Sequence, residues 1–162
     1  MKIYEYDRNL AVNYAREWAY KRNPKYYDFS SIGGDCTNFV SQCIFSGCSV
    51  MNYSANGWYY ISLQKRSPSW TGVENLFIFL TENNKATNKI GPFAEETALA
   101  NCSVGDVVQL GNENKFFHTA IIVDYYNDMP LVASHSRDTF ASPLSVFNFS
   151  RIRCLKILGY GK

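Results

Sequence analysis

The segment of residues 33–42, which reads Gly-Gly-Asp-Cys-Thr-Asn-Phe-Val-Ser-Gln, restricts the possible folds of this chain more than any other feature. Two adjacent glycines permit a sharp turn, and Asp35 after them is a favourable residue for the N-cap of a helix. Apolar and small residues then recur at helical spacing as far as Gly47. The pattern predicts a helix whose first turn contains Cys36.

The position of Cys36 at a helix start has a chemical consequence. Unpaired N–H groups and the helix dipole favour an anion there, so we expect the thiolate to form below the usual thiol pKa of about 8.5. The same N–H groups can bind the oxyanion of an attacked carbonyl. The alternative is a core thiol, because Cys36 shares a helical stripe with Val40 and Cys43. The Gly-Gly-Asp turn favours a nucleophile for Cys36, whereas Cys43 is expected in the core.

Only two histidines can serve as the base that such a nucleophile needs. His118 opens a β-branched run over residues 118–123, which predicts a buried strand. His135 follows a turn-like segment, residues 127–130, so the two histidines are expected on neighbouring strands of a hairpin. A histidine at the start of a strand is well placed to act as the base, and His118 is assigned that role.

The register of this hairpin decides which residue stands beside His118. With four loop residues, 127–130, the opposed positions have an odd sum and His118 shares a sheet face with His135. An odd loop would bring Asp138 to that face instead. We therefore predict His135 as the group that orients His118, with Asp138 as the alternative.

At this point the residues resemble a known family, the bacterial putative amidase domain, a branch of the NlpC/P60 and CHAP group of papain-like cysteine peptidases. The sequence of residues 33–42 is specific to this family. The other matching segments are weak individually and support the resemblance because they occur in this order. The matching segments are residues 14–19, 22–27, 33–42, 57–60, 105–108, 118–123 and 134–138.

The resemblance implies a role for each matching residue. Cys36 matches the nucleophile, His118 the base and His135 the polar third residue, and members of the wider group cut amide bonds in cell-wall peptides. The chain lacks the glutamine that papain-type peptidases carry shortly before the cysteine. The oxyanion donors are therefore assigned to backbone N–H groups near Asp35 and Cys36, helped by the hydroxyl of Tyr26 or Tyr27.

Composition agrees with a single catalytic domain over residues 1–162. The chain is 46% hydrophobic, and no linker or repeat divides it. A net charge of +2 gives no electrostatic case for nucleic acid, and no apolar run spans a bilayer. Metal-binding motifs such as His-Glu-x-x-His are absent, so we expect no metal or cofactor. A monomer that takes a peptide or peptidoglycan substrate is the expectation.

Cellular location and cysteine pairing stay open at this level. No signal peptide precedes the first predicted helix, so the chain is cytoplasmic as written, or extracellular if an export segment was removed. We favour the extracellular location, because an enzyme that acts on the cell wall has to be exported. Five cysteines leave four besides Cys36, which are either reduced or joined in two bridges. Those four are Cys43, Cys48, Cys102 and Cys154.

The predicted fold is α+β and papain-like, with N-terminal helices packed on an antiparallel sheet. Helices are expected up to about Arg22 and over residues 70–80, and residues 93–99 are expected to form a loop or short helix. Trp58, in an aromatic-rich connection, is predicted to line a substrate groove. The predicted strands are residues 104–110, 119–126, 131–136 and 154–158.

These patterns together predict a cysteine-dependent amidase or peptidase that works through a thioester. Two alternatives use the same residues differently. One is a binding module that holds wall components without cutting them. The other is an acyltransferase with the same cysteine and histidine.

Overall fold

A computed structural model describes all 162 residues as four helices and a curled, seven-stranded antiparallel sheet. The helices are α1 (Arg8–Trp18), α2 (Cys36–Cys48), α3 (Pro68–Thr71) and α4 (Val73–Lys85). The strands are β1 (Ile3–Tyr4), β2 (Gly91–Thr97), β3 (Val107–Gly111), β4 (Phe116–Tyr126), β5 (Met129–Ser134), β6 (Thr139–Pro143) and β7 (Arg151–Gly161). This arrangement confirms the predicted α+β class.

The helices follow the predicted pattern with shifted ends. Helix α1 begins where the Asp7 carboxylate accepts a hydrogen bond from the Leu10 N–H at 3.0 Å, and it ends before Arg22. The helix predicted over residues 70–80 is divided at Gly72, whose extended backbone separates α3 from α4. None of the four helices has the length and apolar character needed to cross a lipid bilayer.

The sheet runs in the order β1-β7-β3-β4-β5-β6, and β2 also pairs with β7. All four predicted strands are present as β3, β4, β5 and β7, although their ends differ from the prediction. The expectation of a loop or short helix at residues 93–99 is wrong, because most of this segment lies in β2 and pairs with β7. Its Ala-Glu-Glu sequence favours a helix locally, and the sheet pairing overrides that preference.

Helix α2 lies at the centre of the fold, with 11 of its 13 residues buried. It packs against α1 and β4 in a core that also contains Trp58 and Trp70. A smaller apolar cluster, which includes Val108, Ile122 and Val132, is separate from that core. All five cysteines are free thiols. The packing of α2 on β4 sets the position of Cys36 relative to the sheet.

Candidate active site

Cys36 and His118 line one open cavity of about 540 Å³. They come together because the first turn of α2 is joined to β4: the hydroxyl oxygens of Thr37 and Thr119 lie 2.9 Å apart. Each of these threonines directly follows a cavity residue, so their contact holds Cys36 beside His118. The other residues that line the cavity are Arg22, Ser30, Gly33, Gly34, Phe117, Ser136 and Asp138.

The turn before Cys36 has the backbone that the glycine pair predicts. Gly33 and Gly34 have φ angles of +92° and +100°, which side chains other than hydrogen rarely permit. The Asp35 N–H donates to the Ser136 hydroxyl at 3.0 Å, which ties the turn to the segment after β5. No side-chain oxygen caps α2, so N–H groups of its first turn remain as donors for a ligand oxygen.

The Cys36 thiol is only 7% exposed. Burial raises its pKa, and hydrogen bonds from Thr119 and Thr37 offset only part of that effect. The expectation of a thiol pKa below its usual value is therefore wrong, because desolvation of the thiolate outweighs the helix start. In the free protein Cys36 rests as a neutral thiol.

His118 rests as a neutral imidazole for the same reason. The residue is 8% exposed, and burial lowers its pKa to about 4. Its ring lies against Phe147, with centroids 4.9 Å apart, and its buried Nε2 has no hydrogen-bond partner. A buried nitrogen without a partner is rare in a folded protein and calls for an explanation, of which a catalytic role is one. His118 is thus available to exchange a proton with a group in the cavity.

His135 does not orient His118, so that prediction is wrong. Its Nδ1 lies 2.5 Å from an Asp35 carboxylate oxygen, and its Nε2 lies 2.8 Å from the Trp18 carbonyl oxygen. The ring stacks on Phe39 of α2 and is 1% exposed. Both ring nitrogens are occupied by acceptors that belong to the core, and neither nitrogen contacts His118.

A β-bulge explains why the register prediction failed. The β4–β5 turn has two residues, Asn127 and Asp128, both with positive φ, so the predicted four-residue loop is wrong but its even count is right. The pairing then shifts between Ile122 and Asp124. The extra residue inverts the face relation beyond it. Continued from the pair Ile121 and Ala133, the shifted register sets His118 opposite Ser136 rather than beside His135.

Asp138, the alternative third residue, lies at the same cavity but does not bond to His118. Its two carboxylate oxygens accept hydrogen bonds from the Arg22 guanidinium at 3.0 and 3.1 Å. Arg22 also lies 3.3 Å from Asp28 and 3.6 Å from Asp35. Of these charged residues Arg22 and Asp138 line the cavity, and no side chain donates to or accepts from the imidazole of His118.

Asp35 supports the site from inside the protein. It is 1% exposed, and its carboxylate accepts hydrogen bonds from the Phe29 N–H and the Asn38 side chain in addition to its contact with His135. Asp35 is the N-cap residue of α2, as predicted, but its side chain makes no capping hydrogen bond. Its assignment to the oxyanion or substrate groove is wrong, since its oxygens are already occupied in the core. It fixes the backbone immediately before the nucleophile candidate.

The three aromatic groove candidates lie outside the Cys36 cavity. Tyr26 packs between Tyr60 and Trp70, and burial raises its pKa to about 12. Tyr27 is exposed, with its ring edge against Phe29. Trp58 has no exposed surface, and its Nε1 donates to the Ser41 hydroxyl at 3.1 Å. The prediction that these residues form an oxyanion or substrate groove is wrong; Tyr26 and Trp58 are packing residues.

The sequence interpretation missed the polar support beneath the site. Gln109 of β3 is fully buried, and its amide nitrogen lies 3.3 Å from the Thr119 hydroxyl that contacts α2. Its amide oxygen accepts a hydrogen bond from Arg153 at 2.8 Å. A glutamine inside the apolar run Val-Val-Gln-Leu was the available signal, since a buried carboxamide needs specific partners.

Comparison with known proteins yields a family match and a similar protein. The family described as "Putative amidase domain" matches residues 5–157. The Uncharacterized protein YhbB of Bacillus subtilis (strain 168) is 31% identical over 144 residues, which are 85% of this chain and 44% of that protein. The chain therefore spans less than half the length of this relative. No solved structure matches the chain, so the papain-like part of the predicted fold stays a prediction. Because the match covers nearly the whole sequence, the chain belongs to the putative amidase domain family.

Proposed function

We propose that this amidase-family protein is a cysteine-dependent hydrolase in which Cys36 is the nucleophile and His118 the general base. The observation that carries the proposal is the shared cavity: a thiol at the first turn of a helix and a histidine with an unpartnered ring nitrogen line the same open space. This is the pairing that nucleophilic catalysis requires.

The resting pair is neutral, so substrate binding precedes ionisation. Burial raises the pKa of Cys36 and lowers that of His118, which opposes a preformed thiolate and imidazolium. As the Cys36 Sγ attacks the amide carbonyl carbon, His118 takes the thiol proton and the carbonyl π electrons move to oxygen. First-turn N–H groups of α2, which no side chain caps, stabilise the resulting oxyanion.

The intermediate then collapses to a thioester. The His118 imidazolium gives its proton to the amine nitrogen as the carbon–nitrogen bond breaks, and the amine leaves. A water molecule next attacks the thioester while His118 accepts its proton, and the proton returns to Sγ when the acid is released. This second half distinguishes a hydrolase from an acyltransferase, in which an amine or alcohol replaces the water.

His135 and Asp35 have a positioning role in this scheme. They are joined to each other, to the Trp18 carbonyl and to the turn before Cys36, and neither lines the cavity. Their contribution is to hold the first turn of α2 in place against β4. The reacting atoms meet only Cys36, His118 and the backbone donors.

The substrate class that we propose is the peptide part of bacterial peptidoglycan, which places the site of action at the cell wall. Two observations support a polar peptide. The family is described as a "Putative amidase domain", and the cavity wall carries the partly exposed charges of Arg22 and Asp138. An apolar amide would leave these charges poorly solvated.

The test is mass spectrometry of purified peptidoglycan digested with Cys36→Ala, His118→Ala and the wild-type protein. We expect new termini with the wild type and a loss of at least about 1,000-fold in rate for Cys36→Ala. Cys154→Ser, a buried thiol outside the cavity, is the matched control and should retain activity. Hydrolysis that persists in Cys36→Ala would exclude this mechanism, and binding without cleavage by the wild type would indicate a binding module.

A further inference from the structure

A second cavity of about 560 Å³ lies between α4 and the loop that precedes α3. It shares none of its fourteen lining residues with the Cys36 cavity. Its lining is unusual because five of these residues are asparagines. They are Asn52, Asn56, Asn75, Asn83 and Asn88.

Asn83 gives the cavity a fixed acceptor. The residue is only 6% exposed, and its amide nitrogen donates to the backbone carbonyls of Ile90 at 3.0 Å and Pro92 at 2.8 Å. These contacts assign the orientation of the carboxamide. Its Oδ1 accepts no hydrogen bond from the protein and keeps some solvent-accessible surface, so it is free to accept from a ligand. A ligand donor in the cavity would complete it.

The rim of the cavity offers more free carboxamides. Asn56, Asn75 and Asn88 are exposed, and their side chains form no hydrogen bond with the rest of the protein. Ile78, which is 50% exposed, supplies apolar surface among them. Each carboxamide presents a donor and an acceptor side by side, which is the pattern that neighbouring sugar hydroxyls also present.

The floor of the cavity is rigid. The Asn52 carboxamide accepts from the Ser54 N–H at 2.9 Å and donates to the Ile90 carbonyl at 3.0 Å, so it joins two loops. The Ser69 hydroxyl donates to the Gly57 carbonyl at 2.6 Å, and Phe79 packs beneath against Trp58. A preformed site loses less conformational entropy on binding.

The charges of the lining exclude other ligand classes. No lysine, arginine or histidine lines the cavity, so it is unsuited to phosphate or nucleotide. Its one carboxylate, Glu82, lies 2.7 Å from Lys85. None of the lining residues belongs to a strand, so an extended peptide finds no sheet edge to extend. We propose that this cavity is a binding site for a neutral saccharide, independent of the chemistry at Cys36.

The experiment is a titration of the ¹⁵N-labelled 162-residue protein with two uncharged tetrasaccharides, chitotetraose and cellotetraose, followed by NMR. The side-chain NH₂ signals of the cavity asparagines should shift in a saturable way with at least one of them. An uncharged Ala-Gly tetrapeptide is the comparison. Saturable shifts of these signals with the peptide and not with either sugar would overturn the proposal, as would no shift with any probe.

Variants link the shifts to the cavity. Asn75→Ala with Asn88→Ala should weaken saccharide affinity about tenfold, because each change removes a neutral hydrogen-bonding group. Asn114→Ala, an exposed asparagine far along the chain at the β3–β4 turn, is the matched control and should leave affinity unchanged. Equal affinity in all three proteins would show that the sugar binds elsewhere. None of these variants touches Cys36 or His118, so the result is separable from the proposed hydrolysis.

Discussion

The two histidines of this protein lie in the same region of the fold but differ in the hydrogen bonding of their ring nitrogens. His118 lines an open cavity and has no partner for its buried Nε2. His135 is deeper, at 1% exposed, and both of its ring nitrogens are held by oxygen acceptors. In the proposed mechanism the unsatisfied nitrogen makes His118 the residue available for chemistry, whereas the two contacts of His135 give it a structural role.

The same contrast applies to the residues on either side of the start of α2. Cys36 lies at the cavity, whereas the carboxylate of Asp35 is directed into the core and bound there. In the proposed mechanism Cys36 is presented to a substrate, and Asp35 fixes the backbone that presents it. Substitutions that separate activity from stability test this division.

The largest effect is expected on activity, from His118→Gln. This change removes the proposed base, so amide hydrolysis should fall about 100- to 10,000-fold, while the free energy of unfolding at pH 7 changes little. Initial rates on a cleavable peptide and urea denaturation of the same preparations measure the two quantities. A variant with near wild-type rates would show that His118 takes no part in the reaction.

The next effect is expected on stability, from Asp35→Ala. Removing this carboxylate leaves the His135 ring, the Phe29 N–H and the Asn38 side chain without this partner, and each unsatisfied buried group costs about 1–3 kcal/mol. The free energy of unfolding from urea denaturation measures it. Glu95→Gln, which alters an exposed carboxylate on β2, is the control and should stay within about 0.5 kcal/mol of the wild type. An equally stable Asp35→Ala protein would contradict the structural role.

A smaller effect is expected from pH. The pKa of His118 is lowered to about 4 in the folded protein, below about 6.5 for an unfolded histidine. Between these values the unfolded chain binds more protons, so the free energy of unfolding falls as pH falls from 6.5 to 4. The contribution is about 3 kcal/mol over that window. Denaturation curves at several pH values, compared with His118→Phe, isolate it; identical pH dependence in the two proteins would refute the assignment.

The sequence predicted the local features of the site and failed where a feature depended on distant contacts. The glycine pair and the helical spacing after it located Cys36 at the start of α2, because turn and helix signals are local. The strand at His118 was likewise predicted from its β-branched run. The expected low thiol pKa failed because burial depends on how the whole chain packs.

The orientation of His135 failed for a related reason. Residues 118–123 of β4 are all buried, so no alternation of polar and apolar residues records which face each side chain occupies. The bulge between Ile122 and Asp124 therefore left no sequence signal, and it alone inverted the predicted pairing. The prediction that Trp58 lines a groove failed for a similar reason. The sequence around an aromatic residue at a turn is the same whether the ring lines a groove or lies in the core.

The smallest effect concerns the thiol itself. Because burial raises the pKa of Cys36, its alkylation by iodoacetamide should keep rising with pH above 8 instead of levelling off near neutrality. It should still react before Cys43 and Cys48, which are buried away from the cavity; burial raises the pKa of Cys48 to about 12. Peptide mass spectrometry of timed reactions gives each rate. A rate at Cys36 that levels off below pH 7 would mean that a thiolate and imidazolium pair exists before substrate binds. The proposed contrast between a neutral Cys36 and His118 pair and the fully hydrogen-bonded His135 beside it would then be wrong.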